Sequence, residues 1–330
     1  MPVRNFRGVH YVPAAMPGIT RLRGALAIAA AALALVTAAS TADAAVRIGI
    51  SDQNVSMFSN PLFAPLEIRY ARYVTPWDVA LKPDSLEAAA LDQWLAAARA
   101  AGVHVMVAFQ HSAGDNCPRE PCTLPDPAEF RRAFLAFRAK YPQIRTISVW
   151  NEANHSTQPT YRDPVVAAQY YLVVRRHCRG CTIVAADVLD NYADHSQKMA
   201  KWLTTFASVA RGARLWGIHN WADANRFTTD GITAMLRAVK GDVWLTETGG
   251  IVEFTTQAGA RSFKPSDARA AKAMRWLFQR VIPLSKRIKR IYVYNWLSHP
   301  TNRWDSGLIG HDGRPRQMYD VLKRYSTRSR

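Results

Sequence analysis

No G-x-G-x-x-G follows the first β-rich run of this sequence, where Gly49-Ile50-Ser51-Asp52 stands instead, so a doubly wound dinucleotide-binding sheet lacks its fingerprint. The same run has no histidine, which sets the chain apart from metal-dependent barrel hydrolases that begin with His-x-His. No Pro/Gly/Ser-rich linker or low-complexity tract divides the 330 residues, and one catalytic-size domain is expected. Past residue 45 no apolar run is long enough to cross a bilayer. Cysteine is scarce, at four residues, and acidic residues number 25 against 43 Lys and Arg.

Among the features present, the N-terminal stretch reads as a secretory signal peptide over residues 1–44. Arg4, Arg7, Arg21 and Arg23 precede an Ala/Leu-rich run, and Ala42-Asp43-Ala44 supplies the small-residue cleavage pattern. An uncleaved membrane anchor is the alternative. The protein is then extracytoplasmic, secreted or associated with the cell envelope. Two local cysteine pairs suit that compartment: Cys117 and Cys122 bracket a short loop, and Cys178 and Cys181 bracket Arg179-Gly180, so each could close as a disulfide. A C-x-x-C pair also serves redox chemistry or zinc, but no second C-x-x-C and no His-rich run partners it. No metal and no cofactor is expected. The net charge of +18 lies mostly outside the leader and attracts polyanions. Its basic residues are scattered rather than gathered with aromatics, so an anionic envelope polymer suits better than nucleic acid. The oligomeric state cannot be read.

Residues 45–330 alternate short β-rich runs with amphipathic segments. The strands expected are 46–51, 67–74, 103–109, 146–149, 182–186, 215–219, 242–246 and 290–294. Between them Leu86, Leu91, Trp94, Leu95 and Ala98 form one helical stripe, and Phe130, Phe134 and Phe137 another. Asp84 with Glu87, and Asp126-Pro127 with Glu129, have capping-box spacing. Gly102 stands where a helix C-terminal glycine is favoured. Eight βα units predict an α/β fold, a (β/α)₈ TIM barrel forming a single catalytic domain.

In such a barrel the site lies at the C-terminal ends of the strands. There the sequence places Asp52-Gln53, Arg72 with Trp77-Asp78, Gln110-His111, Trp150-Asn151-Glu152, Asp187 with Asp190-Asn191, His219-Asn220-Trp221, Thr246-Glu247 and Asn295-Trp296. Glu152 and Glu247 each follow an apolar run, on strands 4 and 7, across the barrel mouth from one another. Two carboxylates so placed suit glycoside hydrolysis: about 5 Å apart for retention, about 6.5–9.5 Å for inversion. Trp77, Trp150, Trp221, Trp296 and Trp304 are candidate sugar platforms, Trp150 and Trp296 foremost, and residues 250–265 are a candidate lid.

Trp150-Asn151-Glu152, Glu247 and Trp296 resemble the clan A glycoside hydrolases, especially family 39-like members, as does the run from Ser306 through Arg316 to Tyr319. The resemblance implies Glu152 as general acid/base, Glu247 as nucleophile, Asn151 on the sugar 2-hydroxyl, and Arg72 holding Glu247 ionised. It also implies a substrate-side place for His219, while Trp221 departs from the tyrosine usual there. The charge of Glu247 should raise the Glu152 pKa. Asp52 and Trp77 complete the substrate-binding set. The expected function is retaining hydrolysis of β-glycosidic bonds in a polysaccharide or glycoconjugate; a catalytically inactive glycan-binding barrel is the alternative.

Overall fold

The computed structural model describes residues 46–190, 193–256 and 259–327. The expected leader and Asn191 lie outside the described residues. No helix among the described residues is long and apolar enough to cross a membrane.

The strands are β1 (Arg47–Ser51), β2 (Tyr70–Pro76), β3 (His104–Gln110), β4 (Thr146–Ser148), β5 (Thr182–Val184), β6 (Asp187–Leu189), β7 (Leu215–His219), β8 (Asp242–Thr248), β9 (Glu253–Thr255), β10 (Arg261–Phe263), β11 (Ile288–Tyr294) and β12 (Trp304–Asp305). Nine of them form a parallel ladder in the order β5-β4-β3-β2-β1-β11-β8-β7-β6. Its two ends, β5 and β6, are one chain segment interrupted at Ala185-Ala186. Ala185 N donates to Leu215 O (2.9 Å) and Gly217 N to Ala186 O (2.8 Å), so the ladder closes on itself. The result is a (β/α)₈ barrel, with all eight expected strands present and the second running from Tyr70 to Pro76.

The helices close over the barrel as their apolar faces require. Phe130, Phe134 and Phe137 of the helix Pro127–Lys140 are buried, and Phe109 of β3 packs edge-on against all three. Asp126 caps that helix in a full capping box. The helix Leu86–Ala100 is capped by Ser85, not Asp84: the Ser85 side chain accepts from Ala88 N, and Leu86 is 85% exposed rather than part of the buried stripe. Gly102 (φ 68°) takes the left-handed turn after that helix.

Inside the barrel the filling is stratified. Toward the N-terminal ends of the strands Met106, Val184, Trp244 and Tyr292 form a buried cluster of their own. Arg290 is sandwiched there, 4.0 Å from the rings of both Tyr70 and Trp244. Gly49 makes room for this layer, since a Cβ on it would lie 2.7 Å from the Tyr292 ring. Toward the C-terminal ends the filling turns polar.

Both cysteine pairs are closed as disulfides, Cys117–Cys122 and Cys178–Cys181. Residues 250–265 do not form a free lid. β9 pairs with β10 and with β12 in an antiparallel sheet that ties the connection after β8 to the connection after β11.

Candidate active site

The polar layer is organised by Arg72. Alternation in β2 sends its side chain into the barrel with no exposure. Its Nη1 donates to Ser51 Oγ (3.0 Å) and Glu247 Oε2 (2.9 Å), and its Nη2 to Asn151 Oδ1 (2.5 Å) and Asp187 Oδ2 (2.9 Å). Nη2 also lies 3.2 Å from His219 Nε2, so one guanidinium fork reaches residues on or following five other strands. Asp187 also accepts from Ser148 Oγ (2.9 Å) and from Thr246 Oγ1.

His219, at the end of β7, is the second organiser and is also fully buried. Its Nδ1 lies 3.1 Å from Glu152 Oε1 and 3.8 Å from Glu247 Oε2, and its Nε2 lies 3.5 Å from Asp187 Oδ1. Glu152 occupies the turn after β4 with φ 46°, a left-handed conformation costly for a side-chain-bearing residue. Backbone bonds fix that turn: Asn151 N donates to Phe109 O (2.6 Å), Ala153 N to Asp187 O (2.8 Å) and His155 N to Glu152 O (2.7 Å). The two glutamates are the parts of this network that reach the cleft, with side-chain exposures of 20% for Glu152 and 13% for Glu247.

Charge and burial set the protonation. Burial alone would raise Asp187, but Arg72 and then His219 hold its carboxyl far below the usual carboxylate range. Burial alone would lower His219, yet the carboxylates of Glu247 and Asp187, with hydrogen bonds to Asp187 and Glu152, push it up to about 10. Between the glutamates, burial and mutual repulsion keep one proton on the pair, and His219 favours the charged form of the one it bonds. Burial raises Glu247 beyond what His219 and Arg72 can offset, and the charge of Glu152 adds to the rise. Burial also acts to raise Glu152, but the hydrogen bond and charge of His219, with His155 and Arg72, bring it down. The reason is geometric: the histidine donates to Glu152, not to Glu247.

The cleft above has a volume of about 990 Å³ and is lined by Glu152, Glu247, Trp221, Tyr294 and Trp304, with Phe254 from the small sheet. Trp221 and Trp304 meet edge to face at 4.8 Å. The Trp304 indole is fixed by donating to Ser306 Oγ (3.0 Å). The other expected platforms lie elsewhere. Trp150 is 1% exposed, donates to Gln158 Oε1 (3.0 Å) and stacks on Tyr170. Trp296 is 1% exposed and packs on Phe63, and Trp77 is buried in the main core. Trp150 and Trp296 turn away from the cleft into the core while Trp221 stays in it, a difference that the order of residues alone does not reveal.

Asp52 is not a sugar-facing carboxylate either. It accepts from Asn54 N (2.5 Å) and Trp296 N (2.6 Å), joining the ends of β1 and β11, and burial pushes it up to about 6. Asp190 accepts from Ala222 N and Asp223 N at the start of the helix Trp221–Arg226. Asn151 is buried beneath the cleft with its carbonyl oxygen on Arg72. Sequence reasoning gave no role to Ser51, Ser148 or Thr246, nor to Tyr294, whose ionisation burial and the Glu247 charge oppose. Their signal was the alternation of inward-facing positions along each strand. Among the described residues no group of three or more His, Cys, Asp or Glu is arranged to hold a metal ion.

Solved structures share the barrel. A thermostable mutant of a xylanase from Cellvibrio japonicus matches with a TM-score of 0.60 at 13% identity, covering 88% of this chain and 99% of its own. GH5_18 from Streptomyces cattleya, in complex with GlcNAc, gives 0.58 at 16% identity over 86% and 80%. A family 10 endoxylanase from a sugarcane soil metagenome gives 0.61 at 11% over 86% and 97%. No curated protein matches the sequence significantly. The family model that matches is broader than the expected family 39: residues 126–320, from the Asp126 helix cap past the last strand, fit the glycosyl hydrolase catalytic core. The chain belongs to the glycosyl hydrolase catalytic core family.

Proposed function

We propose that this protein hydrolyses β-glycosidic bonds of a polysaccharide or oligosaccharide with retention of configuration, Glu247 acting as nucleophile and Glu152 as general acid/base. The observation that carries the reading is the convergence of both carboxylates on one ring nitrogen of His219, at 3.1 and 3.8 Å, beside an aromatic-walled cleft. The two oxygens facing that nitrogen can be no farther apart than those distances summed. That limit is compatible with the about 5–5.5 Å of retaining enzymes.

Position divides the roles. Glu247 is pinned from below by Arg72 Nη1 at 2.9 Å, which orients a carboxylate for attack and supports the negative charge it needs. Glu152 has its second oxygen, Oε2, 3.8 Å from the partly exposed His155, which lines the same cleft. The pair titrates as a unit, so the proton it shares reaches Glu152 when Glu247 must be ionised for attack. Once the glycosyl-enzyme forms, the Glu247 charge is gone and Glu152 acts as base toward water. Trp304 and Trp221 offer the sugar faces to stack on.

The surroundings proposed are extracytoplasmic, supported by the two closed disulfides, with the basic surface available to an anionic envelope polymer. The test is a screen of xylan, mannan, acidic exopolysaccharides and aryl glycosides, read by released reducing ends, with Glu152→Gln and Glu247→Gln alongside. Each variant should lose about 10²–10⁴-fold or more of the activity. Full turnover by Glu247→Gln sinks the assignment, and glycan binding without released ends points to a non-catalytic barrel.

A further inference from the structure

Asp187 lies beneath the two glutamates and reaches the cleft nowhere. It is fully buried in β6, with Oδ2 taking Arg72 Nη2 and Ser148 Oγ, both at 2.9 Å, and Oδ1 taking Thr246 Oγ1 and facing His219 Nε2 at 3.5 Å. The strand paired with it leaves room for nothing else: a Cβ on Gly217, its register partner in β7, would run into Asp187 Oδ1.

The charges in this buried cluster do not balance unless one proton is held. Arg72 is the fixed cation, and His219, pushed up to about 10 by the carboxylates although its Nε2 also lies 3.2 Å from Arg72 Nη2, is the second; Asp187, Glu152 and Glu247 are the carboxyls. Around them, Asp52 and Tyr294 face Glu247, His155 faces Glu152, and Asp190 lies near His219. Burial and the neighbouring Asp223 raise Asp190 well above the usual carboxylate range, and burial with the carboxylates around it raises Tyr294. Asp52 adds negative charge only above about pH 6. One of the two cations is therefore committed to Asp187. The other can offset one glutamate, and the second, away from water, keeps its proton.

We propose that Asp187 is a positioning residue that sets the proton count of the cleft: pairing with Arg72 and His219 from below, it leaves Glu152 and Glu247 one cation and hence one proton to share. The inference rests on the proposed hydrolysis only for the use made of that proton. A glycosidase of two carboxylates needs one protonated and one ionised, and here a third carboxylate, out of reach of any sugar, enforces that state. The direction in which Glu247 moves, and the protonation of His219 up to about 10, agree with this count. Asp187→Asn frees a cation for each glutamate. The cluster then sheds a proton, from the pair or from the imidazole.

The test is NMR titration of the full chain carrying ¹³C-carboxyl glutamate and ¹⁵N-histidine, with signals assigned from Glu152→Gln, Glu247→Gln and His219→Gln. In the wild type one glutamate of the pair should titrate well above the ordinary carboxylate range while His219 stays protonated through pH 8. In Asp187→Asn the raised glutamate midpoint or that of His219 should fall by about one pH unit or more. Unchanged midpoints in a folded Asp187→Asn protein overturn the proposal. If that variant does not fold, the wild type decides, because two ordinary glutamates or a His219 neutral at pH 7 overturn it equally. Given a substrate, Asp187→Asn should lower kcat with KM near the wild type and shift a limb of the pH profile. If no glycan is cleaved, the functional reading fails while the titrations still judge Asp187.

Discussion

The two halves of the barrel interior are filled by opposite means. The lower half is an aromatic plug of Trp244 and Tyr292 with Arg290 pressed between two rings; the upper half is a lattice of ion pairs around Arg72, Asp187 and His219. Each contains a buried arginine, but the lower one is held by ring faces and a tyrosine hydroxyl at 3.2 Å, the upper one by carboxylates. Packing needs only volume, whereas the upper layer must place charges to within a hydrogen bond. That need explains why the polar layer takes donors from nearly every strand and why it sits where the cleft opens.

Replacing the two arginines in parallel is the sharpest way to break this comparison. Arg72→Met takes the arginine away from both Asp187 and Glu247, and urea denaturation should show a loss of about 3–5 kcal/mol. Arg290→Met keeps most of the packing and should cost no more than about 2 kcal/mol. Equal losses would mean that the halves are not distinct in kind. The two strand glycines come next. Gly217→Ala and Gly49→Ala each overpack the lumen and should each cost about 1–3 kcal/mol. Gly217→Ala alone should also move the pH dependence of stability, because it displaces Asp187 and not a ring.

The third comparison is that pH dependence in the wild type. His219 is raised from 6.5 to about 10, so the stability it contributes is complete below pH 6.5 and is lost as the pH rises toward 10. Asp187 is depressed, so its contribution is present above the ordinary carboxylate value of about 3.9 and is lost as the pH falls well below it. Denaturation midpoints measured from pH 3 to 10 should therefore decline above pH 6.5, and His219→Gln should flatten that decline. A flat wild-type curve would show that His219 is not held by the cluster.

The barrel was legible in the sequence because period and length carry it: Ile147, Val243 and Ile291 sit in β-rich runs at βα spacing, and the capping box at Asp126 is a local signal. The strand-end glutamates were legible for the same reason. The aromatic platforms were legible only in part, since whether a tryptophan after a strand turns to the cleft or to the helices depends on a turn such as the one at Glu152, where φ is positive. Trp150 and Trp296 went to the core, and Trp221 and Trp304, the latter from β12 of the small sheet, stand in the cleft. Asp187 looked like one more strand-end acid. Only the register that sets it opposite Gly217 and beside Arg72 distinguishes it.

The small sheet of β9, β10 and β12 has a consequence for anyone who would redesign this protein. It stitches the segment after the seventh barrel strand to the segment after the eighth, and its last strand is anchored by Arg316 bridging both oxygens of Asp305 at 2.7 Å. A graft that lengthens one segment alone pulls the seam apart and moves Trp304 with it. The two segments are a single exchangeable part, to be swapped together or left in place.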